Sequence, residues 1–542
     1  MVPLIAWAIT AYVLGLLAGF SDALAVPVFA IACVAAAVSV VRAWRGSIPS
    51  VVPIACALVC ATGVLVARDA KTADAACIAS ATGEQRWVAA HAGGQSPCTA
   101  LADVGPASAA LERWRTHAGA SIDTLFGTDA PLVRALLIAD TGTLPSDVRD
   151  RFAAAGLVHI LSISGLHVAI IAEAMLLIFQ VGRMRRTPAR WVAFGLTALY
   201  VAAIGAPPPA LRSATMLGVA TASRALGRPV SPWAVLALGA AIPLVDPRVV
   251  TQLGWQLSVG GFAALVAAGI WIKRRLPYSV RGWRRALARD LAVSILATVV
   301  TAPLVAWTFG RISFIAPFSN LAAGPIVALL QPALFLALVL APLHGAAAFV
   351  AAAAHPLLAA LDAIATVAAA VPFGSVIVSP SFGVAACGTV ASAALVVAAS
   401  SRHSALPLNV AAGAIVCCLW WPLAPTGSGQ LEFHMIDVGQ GDAIAIRTPH
   451  GQWILTDAGR MWNGGDAGRS TVIPYLRRHG GDLALFILST ARGSRRWCRI
   501  SAEGIPSRIL SRRRVRWRKQ SVSRVTGHRA SDRRAVVACP SG

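Results

Sequence analysis

The residues able to do chemistry in this chain are few and sit where they are costly. The run GLVHILSISGLH at residues 156–167 is apolar enough for a bilayer, yet carries two histidines, two serines and two glycines. His159, Ser162 and His167 recur at spacings of three and five, which predicts one side of a helix, with Leu157, Leu161, Ile163 and Leu166 filling the rest. Unpaired polar side chains in hydrocarbon cost free energy, so such groups face a bundle interior or a wet cavity. Ser162, Ser164 and Gly165 serve equally well as small residues for close helix packing. Arg212, near the start of ALRSATMLGVATASRAL, must either snorkel to the surface or line a polar path. Gln256, beside Ser258 in GWQLSVGGFAAL, reads as interhelical glue or as a ligand of that path. Asn320 lies where Gly310, Pro317, Gly324 and Pro325 interrupt an apolar run, the pattern of a broken or re-entrant helix. Non-helical backbone at membrane depth survives only when buried in protein or lining a cavity. What these groups offer together is weak, hydrated binding of something polar in transit.

The elements that must hold them are membrane helices. Of 542 residues, 57% are hydrophobic and 13% charged, with a mean hydropathy of +0.68. That excludes a soluble protein and exceeds a single span. It predicts a polytopic α-helical membrane protein of about 11–13 transmembrane helices, counted as runs of about 20 residues. Residues 1–67 hold the N-terminal transmembrane helices, the first read as retained and not as a cleaved signal. Arg42 and Arg45 put the loop after the second span inside, which leaves the polar segment 68–128 outside. The basic loops at 183–190 and 273–289 then both fall inside, and Arg402 and His403 mark a weaker inside loop. Leu125, Leu132, Val133, Leu136 and Leu137 form an amphipathic stripe, either lying along the outer surface or belonging to a plain connector, with Pro145 and Ser146 opening a second short helix.

Cysteine placement agrees with that orientation. Cys33, Cys56, Cys60, Cys387, Cys417 and Cys418 lie in apolar runs, where the thiol behaves as a small hydrophobe. Cys77 and Cys98, in the external segment, are expected to form a disulfide closing a loop of about twenty residues, worth on the order of 3 kcal/mol in the chain-entropy model. The formal charge of +24 suggests a polyanion or an anionic membrane surface as partner. Its distribution is uneven: residues 491–542 carry fourteen Arg and one Lys against Glu503 and Asp532, so +13 belongs to this tail and +11 to everything before it. From about residue 425 helical runs give way to strands at 433–438, 443–448, 453–456 and 483–489, with His450 and Gly451 in a hairpin turn.

The run LLIADTGTLPSDVRDRFAAAGLVHILSISGLHVAIIA at residues 136–172 resembles the signature segment of the ComEC-type competence family. Members are inner-membrane proteins that pass incoming single-stranded DNA into the cytoplasm during natural transformation. The resemblance implies a competence-type core at 129–424 and an external domain at 68–128 that is at best a reduced OB-like fold. It also favours a path-lining role for Arg212, with contact to DNA phosphate, since a guanidinium stays charged and offers two donors to phosphate. DVGQGDA and TDAG, carrying Asp437, Gly439, Gln440, Asp442, Asp457 and Gly459, look like the opening of the family's metallo-β-lactamase-like domain, here truncated to 425–490. In the family the next strand runs into H-x-H-x-D-H, which binds two metals that activate water. Here Thr490, Ala491, Arg492, Gly493 and Ser494 occupy those slots. No metal, no other cofactor and no catalytic residue are therefore expected.

One back-translation of ARGSRRWC at residues 491–498 reads, one nucleotide out of frame, as His-Ala-Asp-His-Val-Gly-Gly, the missing half of that motif. Residues 491–542 are accordingly expected to be out-of-frame translation or disordered, the competing reading being a basic arm for nucleic acid. The expected function is a channel for single-stranded DNA in the bacterial inner membrane, working with uptake machinery on both faces and possible as an oligomer. The alternatives are a polytopic transporter of a small anion and a membrane-bound metal-dependent nuclease. With no G-x-x-x-x-G-K-[ST] phosphate loop, ATP is not hydrolysed by that route.

Overall fold

Long runs of Ala, Leu, Val and Ile without charges can satisfy their backbone only internally once water is excluded, so they become helices. A computed structural model of the chain describes residues 3–21, 23–44, 51–80, 106–161, 163, 165–275, 281–378, 382–401, 404–420, 429–438, 441–459, 461–462, 465–481 and 483–487. The helices are α1 (Leu4–Phe20), α2 (Ala25–Trp44), α3 (Val51–Ser80), α4 (Pro106–Phe126), α5 (Ala130–Ile138), α6 (Ser146–Ala154), α7 (Gly165–Val181), α8 (Arg186–Ala203) and α9 (Pro208–Ala225). They continue as α10 (Pro232–Gly239), α11 (Leu253–Arg275), α12 (Gly282–Phe309), α13 (Ala316–Val339), α14 (His344–Ala370), α15 (Phe382–Ser400), α16 (Ala405–Trp420) and α17 (Ile473–His479). Among the described residues, six helices are long and apolar enough to cross a membrane, and five further apolar helices are shorter, at 10–17 residues. The chain is a polytopic helical membrane protein with a few strands near its C-terminal end.

The chain divides into two units. The first comprises Met1–Ala302, Ser313–Ser375 and Ser392–Leu408. In it α1 and α3 approach through glycine: Gly15 and Gly19, one turn apart on α1, meet the Cys60 and Val64 backbone, and Gly63 on α3 meets the Tyr12 carbonyl. A Cβ at any of the three would strike main chain, which is how small residues let membrane helices touch. The largest core cluster joins α4, α5 and α6 to α13 and α14, with Val133, Leu136, Leu137, Phe152, Leu330 and Leu358 fully buried. The stripe at 125–137 is therefore core, not an outer-surface helix. Its apolar face is covered by α13 and α14 before lipid can cover it.

Other expectations are corrected by the backbone. The run 156–181 is not one helix: Val158–Ile160 is a 3-10 turn and α7 begins only at Gly165. Pro325 and Pro332 lie inside a continuous α13, so the interruption is confined to the stretch before Ala316, where Gly310 takes a left-handed φ of 61°. Of residues 68–128, the described parts are helical, as the end of α3 and as α4; residues 81–105, where a reduced OB-like fold would sit, lie outside the described residues.

The second unit comprises Pro303–Ile312, Val376–Ala391 and Asn409–Gly542. Its four-stranded sheet runs in the order β1 (Glu432–Met435), β2 (Ile444–Arg447), β3 (Trp453–Thr456), β4 (Leu483–Ile487). The first three are antiparallel, and β4 is parallel to β3. Gly451, with φ of 83°, closes the β2–β3 hairpin by donating its N–H to the Thr448 carbonyl. Trp453, Leu455, Val472 and Leu476 form the core between sheet and α17.

Candidate functional site

α8 ends at Ala203, Gly205 following with a left-handed φ of 89°, and three consecutive prolines start α9, with Pro207 capping and prolines filling the first positions, where no amide donor is needed. Arg212 follows one turn later, at 5% exposure, so it does not snorkel. Its Nε donates to Ser258 Oγ on α11 (2.6 Å), Nη2 to Ser213 Oγ (3.4 Å) and Nη1 to the Met216 thioether. The guanidinium carbon stands 5.4 Å from the Phe262 ring centroid. Gly165, the first residue of α7, packs against the same group: a Cβ there would land on Ser213 Oγ and lie 3.1 Å from Arg212 Nη2. Gly239 of α10 leaves room for the Arg212 stem in the same way.

What sets Arg212 apart is the missing anion. Arg248 is clamped by Asp74 through Nε and Nη2 (2.8–3.0 Å), Arg134 by Asp123 and Asp140, and Arg151 by Asp147 and Asp362. Arg212 has hydroxyls, a thioether and a ring, and among the described residues no carboxylate pairs with it. A buried cation lacking a counter-charge costs several kcal/mol. The site is thus a buried positive charge held among hydrogen-bonding hydroxyls.

The remaining expected residues divide clearly. His167 is fully buried on α7, whereas His159 is exposed on the 3-10 turn and held by the Gly156 backbone. Gln256 turns away and donates to the Val250 carbonyl (2.9 Å), so the partner of Arg212 is its neighbour Ser258. Asn320 Nδ2 donates to Ser294 Oγ of α12 (3.2 Å), apart from Arg212. Ser162 and Ser164 lie outside the described residues.

Four residues that the sequence did not single out fix the segment ahead of α7. The hydroxyls of Ser313 and Ser319 donate to the Ala154 and Ala155 carbonyls (2.8 and 2.5 Å), capping the end of α6. Gln331 and Tyr200 donate to the Leu136 and Leu137 carbonyls (3.1 and 2.6 Å), capping α5. Ser319, Gln331 and Tyr200 are polar residues in apolar helices and Ser313 ends a short strand, a signal that marks a partner without saying which.

In the sheet unit, the Asp442 carbonyl accepts from the Gly459 N–H (3.0 Å), and the Asp457 N–H donates to Ile487 (2.9 Å). Gly459 is required there, since φ is 75° and a Cβ would lie 2.7 Å from Val438 and Ala467. Asp437 follows β1; Gly439 and Gln440 lie outside the described residues, as do the slots at 490–494 and the Arg-rich tail. Among the described residues no three His, Cys, Asp or Glu gather to hold a metal. The core instead contains His434, which meets Tyr475 Oη (2.9 Å) and Glu432 (3.1 Å). Cys77 is disulfide-bonded, Cys98 lies outside the described residues, and the six cysteines of the apolar runs are free thiols.

Similarity to known proteins covers the helical core. ComE operon protein 3 of Bacillus subtilis is 25% identical over 389 residues, 70% of this chain and 48% of that protein. Competence protein ComA of Neisseria gonorrhoeae is 34% identical over 235 residues, 41% of this chain and 32% of its own length. The uncharacterized protein YcaI of Escherichia coli K12 is 28% identical over 358 residues, 62% of this chain and 45% of its own length. The chain thus spans less than half the length of each of these relatives. No solved structure matches. A family model described as Competence protein matches residues 136–404, which contain Gly165, Arg212 and Ser258, and over that stretch the chain belongs to the competence protein family.

Proposed function

We propose that this chain is the membrane channel through which single-stranded DNA enters the cytoplasm in natural transformation, placed in the bacterial inner membrane. Arg212 carries the reading: a buried guanidinium with hydroxyl partners and, among the described residues, no carboxylate offers passing phosphates a positive charge. Membership of the competence family and the names of two relatives support DNA as the polyanion. Passage requires that each phosphate be held weakly and released, as in other conduction paths. In this reading 1–67 and 129–424 form the membrane part, 425–490 are the start of a metallo-β-lactamase-like domain without its metal ligands, and uptake machinery on both faces delivers and receives the strand.

Uptake of labelled DNA by cells carrying the chain, against cells carrying Arg212→Ala at equal membrane abundance, tests this. Uptake in the first and its loss in the second is expected. Undiminished uptake in a deletion strain would refute the DNA reading and leave small-anion transport. Metal analysis and a nuclease assay of the purified chain should both be negative.

A further inference from the structure

Away from Arg212, a groove of about 770 Å³ opens within the first unit, in the size range of ligand cavities. Its walls come from α11, α12, α15 and the start of α16, and are apolar along most of their length, with Ile295, Val299 and Leu395 among them. One end is polar, formed by Arg274, Arg275, Ser401 and Ser404. Arg274 is already committed, since its Nη1 donates to the Ser400 and Ser401 carbonyls (2.9 and 2.8 Å). Arg275 is exposed, and among the described residues no carboxylate pairs with it. Asp290, close to the groove wall on α12, is engaged by Arg289 Nε (2.8 Å).

Position gives this shape its meaning. α11 runs apolar to its last turn and ends in Lys273, Arg274 and Arg275, and from Ala268 to Arg275 the wall descends roughly 10 Å, at about 1.5 Å per residue. Trp271, 45% exposed, stands at the mouth, where indoles favour the headgroup level. A cation and two hydroxyls at the membrane surface above an apolar trough match a phosphate headgroup above an acyl chain. We infer that the groove is a binding site for an anionic glycerophospholipid, its phosphate on Arg275 and the Ser401 and Ser404 hydroxyls and one acyl chain along Ile295, Val299 and Leu395. Basic pockets between helices at the cytoplasmic surface recognise acidic lipids by this chemistry.

Trp271 provides the readout. The full chain is reconstituted in phosphatidylcholine vesicles containing a small fraction of either brominated phosphatidylglycerol or brominated phosphatidylcholine, and the emission difference between wild type and Trp271→Phe isolates this indole. Brominated phosphatidylglycerol should quench it as if enriched about fivefold over phosphatidylcholine, the preference of one basic residue for an acidic lipid. Arg275→Gln should abolish the enrichment, and Ala398→Phe, which fills the trough, should reduce quenching by both lipids. Thermal unfolding of each variant confirms that it is folded. Equal quenching by the two lipids, enrichment surviving in Arg275→Gln, or quenching below random contact because a second copy fills the groove would each overturn the assignment.

Discussion

Replacing Arg212 with methionine separates function from folding. The substitution keeps much of the side-chain volume and removes the charge, leaving Ser258 Oγ without its 2.6 Å donor. Losing a hydrogen bond to a charged group costs about 1.5–3 kcal/mol, and losing the contact with the Phe262 ring about another 0.5–2 kcal/mol. Against this, an arginine at membrane depth costs about 2.5–3.5 kcal/mol to insert, a penalty that methionine does not carry. The two sides nearly cancel, so Arg212→Met should unfold within a few degrees of wild type in detergent. Uptake should fall about tenfold to a hundredfold, because one charge-assisted phosphate contact of about 1.5–3 kcal/mol is gone and each 1.4 kcal/mol is a factor of ten. Thermal unfolding of the purified protein and labelled-DNA uptake normalised to membrane abundance measure the two quantities independently. A variant that unfolds much earlier, with uptake falling only in step with abundance, would make Arg212 a structural strut. Normal uptake at normal stability would remove it from the path.

Gly165→Ala should impair uptake to a similar degree with the charge still present, since the new methyl lands on Ser213 Oγ and crowds Arg212 Nη2; normal uptake would show the cluster to be loose enough to yield. Gly63→Leu should cost about 1–3 kcal/mol or more of stability, as overpacking does, because its Cβ would sit 2.5 Å from the Tyr12 carbonyl; Gly195→Ala, with open space around it, should leave the unfolding temperature unchanged. Arg134 bonds Asp123 and holds its carboxyl below the ordinary carboxylate value, so the stability it contributes is complete above that value and lost as pH falls through the lowered one. Asp123→Asn should therefore flatten the decline in unfolding temperature below about pH 4, and an unchanged decline would assign it to other groups.

Much of this was legible in the sequence. Apolar runs announced the helices, the alternation near residue 430 announced the sheet, and Arg212 stood out as a charge where charges are expensive. What failed did so because sequence spacing presumes a regular backbone. His159 and His167 share a helical face only if the helix is continuous, and it breaks into a 3-10 turn and a later start. Gly324 and Pro325 looked like breaks, but neighbouring helices and side chains tolerate a freed carbonyl inside a membrane bundle. Gln256 and Ser258 sit two apart on α11, so they point to different sides. Only the packing of α9 against α11 decides that the serine meets the guanidinium.

The guanidinium of Arg274 has a bearing on how the protein is made. It grips the terminal carbonyls of a helix that leaves the ribosome more than a hundred residues later. Helix ends so joined must emerge on one side of the bilayer, so a late hairpin threaded the wrong way would leave those carbonyls and that cation on opposite faces. The bond therefore closes only when both segments have been delivered in the same sense.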